Sequence, residues 1–371
     1  MMENNNSVCF VARVEKIEPI NGADLIVLAT IGGWSCVVKK DAHVIGERVI
    51  VATNDAVIPE NFSAELGVTS YLRNGTRVRT VKLKGVYSEC LILPIDYAPH
   101  KKSYEGADLM DDLGIYKYEP PVKQIQLSSG KVVKYKENSN FPVYYKFPNL
   151  KNVSGMFTTE DVVQITRKIH GTNSRYGIVK KQKLTLLDRV KKFFGNKWVD
   201  FEYVYGSHNV EKGSDSQGFY STDVWREVAD KYNIKERLWM HFKSLTKTPD
   251  KSFIIYGEIF GPGIQKNYDY GLDEIKFCMF DVVVDDTYLK PLYTEYTAYD
   301  LSLDHVEILA EDSWSQELQD KFTFNNFIDG TKIPHEGIVI KDLDGNRKKV
   351  AKVINPDYLI YAEKKDVGDS H

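Results

Sequence analysis

VVQITRKIHGTNSRYGIV, residues Val162 to Val179, decides how the larger part of this chain reads. Apolar and polar residues alternate up to Lys168, the period of a strand with one buried face. A glycine-containing turn, HGTN (His170 to Asn173), follows before the next strand begins. A lysine at such a strand end projects into a cleft, flanked by a turn whose polar side chains can reach a ligand. To act as an amine nucleophile it must be partly deprotonated, and burial beside other cations favours that. Taken alone, the same four residues also fit a surface lysine ahead of a hairpin turn, so the rest of the chain has to decide.

Downstream, FIIYGEIFGPGIQ places Glu258 at the end of a buried strand, where an unpaired carboxylate would be costly. KFCMFDVVVD is a further strand carrying Phe277 and Phe280, HEGIVIK sets Glu336 ahead of another, and VAKVINPDYL puts Lys352 inside the last. Two helices interrupt the strands. In STDVWREVADKYN, Val224, Val228, Ala229 and Tyr232 share a face and Thr222 stands at the N-cap position; DSWSQELQDKF, Asp312 to Phe322, is the second. Between them and the lysine turn lies KKQKLTLLDRVKKFFGNK, Lys180 to Lys197. There Leu184, Leu187, Val190 and Phe194 would form the apolar face of a short helix with Lys191 and Lys192 towards solvent. The stretch reads as a solvated amphipathic insertion or as a lysine patch for a nucleic-acid backbone.

Residues 8–95 have a different texture: short strands such as VCFVARVEKI, LIVLATI, SCVVKK and ERVIVAT, separated by glycine-rich turns, with no helical period. That predicts a small barrel or sandwich. Pro120 and Pro121, among polar residues, predict a linker with room for a short hairpin. At 371 residues the chain has length for two or three domains of roughly 150 residues each. Its 42% hydrophobic and 27% charged residues exclude a disordered or fibrous protein. No run is long and apolar enough to span a membrane, and the polar start MMENNNS lacks a signal-peptide core, so an intracellular protein is expected. The net charge of −3 provides no global attraction to nucleic acid, which leaves local patches to do so. Cys9, Cys36, Cys90 and Cys278 are scattered and read as reduced, mostly buried thiols.

Two resemblances rest on these segments. RVEKIEPINGADLIVLATIGGWSCVVKK, Arg13 to Lys40, resembles the OB-fold tRNA-binding module. The later segments, in their order, resemble the covalent nucleotidyltransferases: ATP-dependent DNA and RNA ligases and mRNA capping enzymes. KIHGTN (Lys168 to Asn173) looks like motif I in its RNA-ligase spelling, and GSHN (Gly206 to Asn209) like motif Ia. YGEIFG (Tyr256 to Gly261) looks like motif III, KFCMFDVVVD like motif IIIa, HEGIVIK like motif IV and VAKVINPDYL like motif V. An OB-like module ahead of motif I is similar to the Deinococcus-type RNA ligases.

The resemblance implies an α+β fold. An OB-fold β-barrel over 1–118 and a linker over 119–140 would precede a nucleotidyltransferase domain, of the ATP-grasp-like DNA/RNA-ligase type, over 141–371. That domain would be built of antiparallel sheets with flanking helices. It also implies an ATP-dependent RNA ligase, with Mg²⁺ or Mn²⁺, that joins 3′-OH and 5′-phosphate RNA ends in repair, nicked duplexes included. The partner would be RNA, with no membrane, and the protein a monomer.

Lys168 would be the nucleophile, Lys352 the cation on the α-phosphate and Glu336 the third catalytic group. Lys168, His170, Gly171, Asn173, Ser207, Glu258, Phe277, Glu336 and Lys352 would line the ATP/AMP site, Glu258 on the ribose and Phe277 stacked on adenine with Phe280 in the core. Glu336, through water, would hold the metal, with Glu258 as the alternative ligand. Three departures stand out. Ile354 occupies the place of motif V's second lysine, leaving Lys349, Lys348 or Lys341 to supply that charge; His208 stands where motif Ia commonly has Arg, and Arg167 where Glu often precedes the nucleophile. The rival expectations are a GTP-using capping-type enzyme and an inactive RNA-binding relative.

Overall fold

The computed structural model describes residues 7–118, 138–153, 155–208, 210–214, 218–219 and 223–369. Most of the expected linker, the Thr222 cap and Asn209 lie outside them. Among the described residues no helix is long and apolar enough to cross a membrane. All four cysteines are buried and unpaired.

The chain packs as two units, each discontinuous in sequence. The first gathers the N-terminal strands with Phe147–Phe157 and Pro356–Ile360; the second holds Lys131–Lys146, Thr158–Asn355 and Tyr361–His371.

In the first unit, β1 (Cys9–Pro19), β2 (Ile26–Ile31), β3 (Trp34–Lys39), β4 (Arg48–Thr53) and β5 (Cys90–Leu93) pair in the order β3-β2-β1-β4-β5. The two edges come together. Glu89 N–H donates to Ser35 O at 2.8 Å and Val37 N–H to Ser88 Oγ at 3.1 Å, which nearly closes the sheet into a barrel. Closure relieves the edge-strand hazard. Strand β4 is apolar on both sides because both are covered: Val49 and Val51 pack with Val14, Ile31 and Trp34, while Ile50 and Ala52 pack with Phe62, Leu109 and Ile115. Residues 147–157 are fastened here. Lys151 pairs with Glu89, the Trp34 indole donates to Asn152 Oδ1 at 3.2 Å, and Leu150 and Phe157 are buried.

The second unit contains two large sheets, antiparallel except where Asp304–His305 pairs parallel to Cys278 and Met279. Its strands are β6 (Val162–Lys168), β7 (Thr172–Lys180), β8 (Phe201–Ser207), β9 (Ser252–Phe260), β10 (Lys276–Val284), β11 (Ile308–Ser313), β12 (Gly337–Asp342) and β13 (Val350–Ile354). The smaller sheet runs β11-β6-β12-β13, and the larger is centred on β8-β7-β9-β10. The helices are α1 (Leu186–Phe193), α2 (Val224–Lys231), α3 (Ile234–Ser244), α4 (Pro291–Asp300), α5 (Gln316–Thr323) and α6 (Pro356–Lys365).

Both helices expected downstream are present, with shifted starts: Asp223 accepts from Arg226 N–H to cap α2, and Ser315 caps α5 after Asp312 and Ser313 finish β11. The sequence reading missed α3, α4 and α6. Only Ile234, Leu238 and Phe242 of α3 are buried, a single narrow row, and α4 is written largely in Thr and Tyr, which locally favour strands. Helices α2, α3 and the end of α4 cover one face of the larger sheet, packing Val228, Leu238 and Ala298 against Ile178, Phe253 and Met279. The other face looks towards the smaller sheet, and Lys341 of β12 spans the gap to Phe280 O at 2.5 Å and to Asp281 at 3.2 Å.

Candidate active site

Strand β6 belongs to the smaller sheet and β7 to the larger, so Ile169–Gly171 is the crossing between them, and Lys168 is the last residue before it. Gly171 lies hard against β9. A Cβ there would sit 2.3 Å from Ile259 O and 2.8 Å from Glu258 Cγ, so no other residue lets the turn approach Glu258 so closely.

Lys168 pairs with Gly337 in the β6–β12 ladder, which brings Glu336 level with it, and Nζ donates to Glu336 Oε1 at 2.6 Å. Gly337 has φ +151, and a Cβ would meet Val353 O at 2.1 Å, so this lead-in also needs glycine. Asn355, fully buried, fixes the segment: its N–H donates to Glu336 O at 2.9 Å and its side chain to His335 O at 3.1 Å. Glu336 Oε2 is buried and makes no hydrogen bond within the described structure; His170 Nδ1 stands 4.0 Å from it, beyond hydrogen-bond reach.

The ladder places the remaining cations. Gly337 faces Ile354 and Val339 faces Lys352, so Lys168, Lys352 and Ile354 share one face of the smaller sheet, with Ile354 in the row of Lys168 itself. Of the three candidates for a second cation, Lys341 lies on this face, Lys349 is paired to Asp161, and Lys348 is exposed in the hairpin. Lys341 is already engaged. It belongs to a buried cluster with Asp281, which also accepts from Tyr144 Oη at 2.7 Å and from both terminal nitrogens of Arg347 at 2.8 and 2.6 Å. Burial pushes Lys341 below its usual range. Burial alone would raise Asp281, but Lys341 and Arg347 hold its carboxyl below the usual range.

On the facing sheet Asn173 pairs with Glu258, which puts both on the open face. Asn173 Oδ1 is buried and makes no hydrogen bond within the described structure. Phe277 is not with them. It is fully buried on the helix-covered face, edge-on to Tyr176 at 5.5 Å, with no side left for a base. Phe280 is the partly exposed ring on the Glu258 face. A bulge opposite Tyr256 and Gly257 inserts an extra residue into β10, so Phe280 and Asp281 both turn to the open side. Ser207 is not gathered either: it stands opposite Ser174, which packs on the helix-covered side, and its hydroxyl bonds within the turn to Val210. Arg175 went unnoticed in the sequence. It is fully buried, donating to Ser207 O at 3.0 Å and lying 4.4 Å from the Phe141 ring.

Helix α1 forms where expected but is turned over. Its one buried residue is Asp188, which closes a capping box with Thr185 and pairs with Lys181 at 3.0 Å. Leu186, Leu187, Val190, Phe193 and Phe194 are all exposed. The polar anchors set the helix's orientation, leaving the expected apolar face outward.

A family model described as RNA ligase matches residues 161–354. The chain belongs to the RNA ligase family. An OB-fold domain model matches residues 8–95, so this RNA ligase carries an OB-fold barrel ahead of its ligase domain. Solved structures of Naegleria gruberi RNA ligase share this architecture. A variant with ATP and Mn is 22% identical with a TM-score of 0.72, covering 96% of this chain and 99% of that one. A variant with AMP and Mn is 22% identical at 0.71 over 96% and 98%, and an apo variant is 23% identical at 0.70 over 96% and 98%. Likeness at this identity establishes the fold. A search of curated proteins finds no match.

Proposed function

We propose that this RNA ligase uses ATP to join RNA 3′-OH and 5′-phosphate ends through a lysyl–AMP intermediate on Lys168, as in the repair of RNA breaks. The observation that carries the reading is the Lys168–Glu336 pair, 2.6 Å apart at the crossing between two sheets. Lys168 attacks the α-phosphate: an N–P bond forms, the P–O bond to pyrophosphate breaks, and the amine gives up a proton. The amine must part from Glu336 to attack, because the lone pair it needs is tied up while it donates as an ammonium. An RNA 5′-phosphate oxygen then displaces Lys168 from AMP, and a 3′-OH displaces AMP. Lys352, on the same face as Lys168, offsets the charge that builds on the phosphate oxygens. Glu258 accepts from the ribose, and Asn173 and the His170–Gly171 turn border the nucleotide. Phe280 takes the adenine-stacking role expected of Phe277, because it is the ring on the Glu258 side.

A divalent cation fits here as a shared guest. Among the described residues no cluster of three or more His, Cys, Asp or Glu could hold one alone. Glu336, with its unbonded buried Oε2, would hold it through water alongside the nucleotide's phosphates, where it would neutralise phosphate charge. Glu258 is the remaining candidate ligand.

With Ile354 in the second motif V position, the phosphate charge falls more heavily on Lys352. Lys352→Ala is expected to slow lysyl–AMP formation by about 10²–10³. Lys349→Ala, which removes only the pair with Asp161, should change it little. Near wild-type rates in Lys352→Ala, measured by transfer of label from α-labelled ATP, would overturn this assignment.

The OB-fold barrel is proposed to engage the RNA. A fragment beginning at Phe141 should keep Lys168 labelling and lose most sealing of nicked RNA. It should also melt lower, because Leu150 and Phe157, buried in the first unit, lose their cover. Full sealing without residues 1–118 would show the barrel to be dispensable.

A further inference from the structure

We propose that Tyr270, with Tyr268 and Gln265, is a positioning residue for lysyl–AMP formation: a clasp that holds the crossing turn after Lys168 through its backbone. This rests on the reading of Lys168 as the nucleophile. His170 lies between the β6 and β7 ladders, so its peptide groups have no strand to pair with. The Tyr270 hydroxyl stands in for one. It accepts from His170 N–H at 2.7 Å and donates to His170 O at 3.2 Å, so one oxygen satisfies both peptide groups. Burial pushes this phenol well above its usual range, which keeps the proton it donates. The Gln265 side-chain amide donates to Gly171 O, the next carbonyl of the same turn.

Tyr268 ties the other half of the site. Its ring meets the His170 ring edge-on at 4.9 Å, and its hydroxyl donates at 2.8 Å to Pro334 O, two residues before Glu336. One loop between β9 and β10 therefore grips both segments that bring Lys168 and Glu336 together, and none of these hydrogen bonds involves a catalytic side chain. Tyr270 is itself seated against Phe260 at 5.0 Å and Tyr268 at 5.1 Å, so its hydroxyl is held in place by packed rings.

The clasp sets where the amine sits, so its loss should appear more in the maximal rate than in ATP affinity. Sealing of RNA that already carries a 5′-adenylate does not use Lys168 as nucleophile and should be spared. Tyr270→Phe keeps the ring and removes both hydrogen bonds. It is expected to lower the maximal rate of lysyl–AMP formation about 10- to 100-fold. The KM for ATP and the sealing of pre-adenylylated RNA should change several-fold less than this rate, because the turn borders the nucleotide but only lysyl–AMP formation needs the amine as nucleophile. Tyr176→Phe removes a buried hydroxyl that donates to Trp225 O at 2.9 Å on the helix-covered side; it serves as the matched control and should retain lysyl–AMP formation. A wild-type rate in Tyr270→Phe, or an equal loss of both reactions in the two variants, overturns the clasp. Label found on a residue other than Lys168 in the wild-type protein would sink the underlying reading with it, whereas an indifferent Tyr270→Phe with Lys168 labelled sinks the clasp alone.

Discussion

Replacing Lys168 by alanine should abolish covalent labelling from α-labelled ATP while leaving the fold intact. The lysine's backbone is fixed by the ladder to Gly337, and its side chain is a quarter exposed, so truncation opens no core cavity. The cost falls on chemistry. No other described lysine combines this strand-end position with a carboxylate lead-in that a glycine holds against the neighbouring strand. Without the nucleophile the covalent step has no alternative route, and the signal should drop to background. Lys168→Arg tests the same point with charge retained, since a guanidinium stays protonated and cannot attack. The measurement is labelled protein on a gel beside a thermal melt. Label that survives in Lys168→Ala would move the nucleophile elsewhere and undo the assignment of the whole cleft.

Asp281→Asn is expected to be the most damaging substitution for stability. The carboxylate is fully buried and is the shared partner of Lys341 and Arg347; without its charge, the buried Lys341 and the half-buried Arg347 are left without the anion they share. Breaking a buried pair in this way costs about 3–5 kcal/mol. In a domain of this size that corresponds to a fall in Tm of roughly 6–20 °C. Asparagine preserves the shape, so the loss reports charge rather than volume.

The pH dependence has a definite sign. The folded carboxyl titrates below its unfolded value of about 3.9, so its contribution is complete at neutral pH and is lost only as pH falls through the lower, folded value. The wild-type advantage over Asp281→Asn should therefore be constant from neutral pH down to about 5 and shrink below about 4. A melt of Asp281→Asn within a degree or two of wild type would show that the cluster tolerates a neutral partner.

What the sequence revealed of this site, and what it hid, follows from how each residue is held. Lys168, Glu258, Glu336 and Lys352 were legible because their segments, taken in order, resemble the motifs of the covalent nucleotidyltransferases; each alone reads as an ordinary strand or strand-end residue. The two ladders put Lys168 and Lys352 on one face of the smaller sheet and Glu258 on the open face of the larger. Phe280 was misjudged because its orientation depends on a bulge in β10, a two-strand property that no single segment records. The outward face of α1 was hidden because amphipathic spacing gives a stripe but not its direction, and Asp188, anchored to Thr185 and Lys181, reverses the direction expected. Tyr270 and Gln265 serve peptide groups rather than side chains, and backbone partners leave no pattern in residue type. Asp281, Lys341 and Arg347 are a triad only because the two sheets face each other.

The discontinuous first unit has a consequence for synthesis. A ribosome delivers the chain from the N-terminus, so the strands of the barrel emerge well before Pro356–Ile360, which groups with them. Tyr358, buried there, and Asp357, 3.8 Å from Lys82, reach their places only when about 240 further residues have been translated. At about 5–20 residues per second that delay is roughly 12–50 s. For that interval Lys82 lacks its pair with Asp357, and the first unit is without the segment that carries Tyr358. Expression at lower temperature, or beside a chaperone that shields nascent chains, should therefore raise the yield of soluble protein more than stabilising the finished ligase domain would.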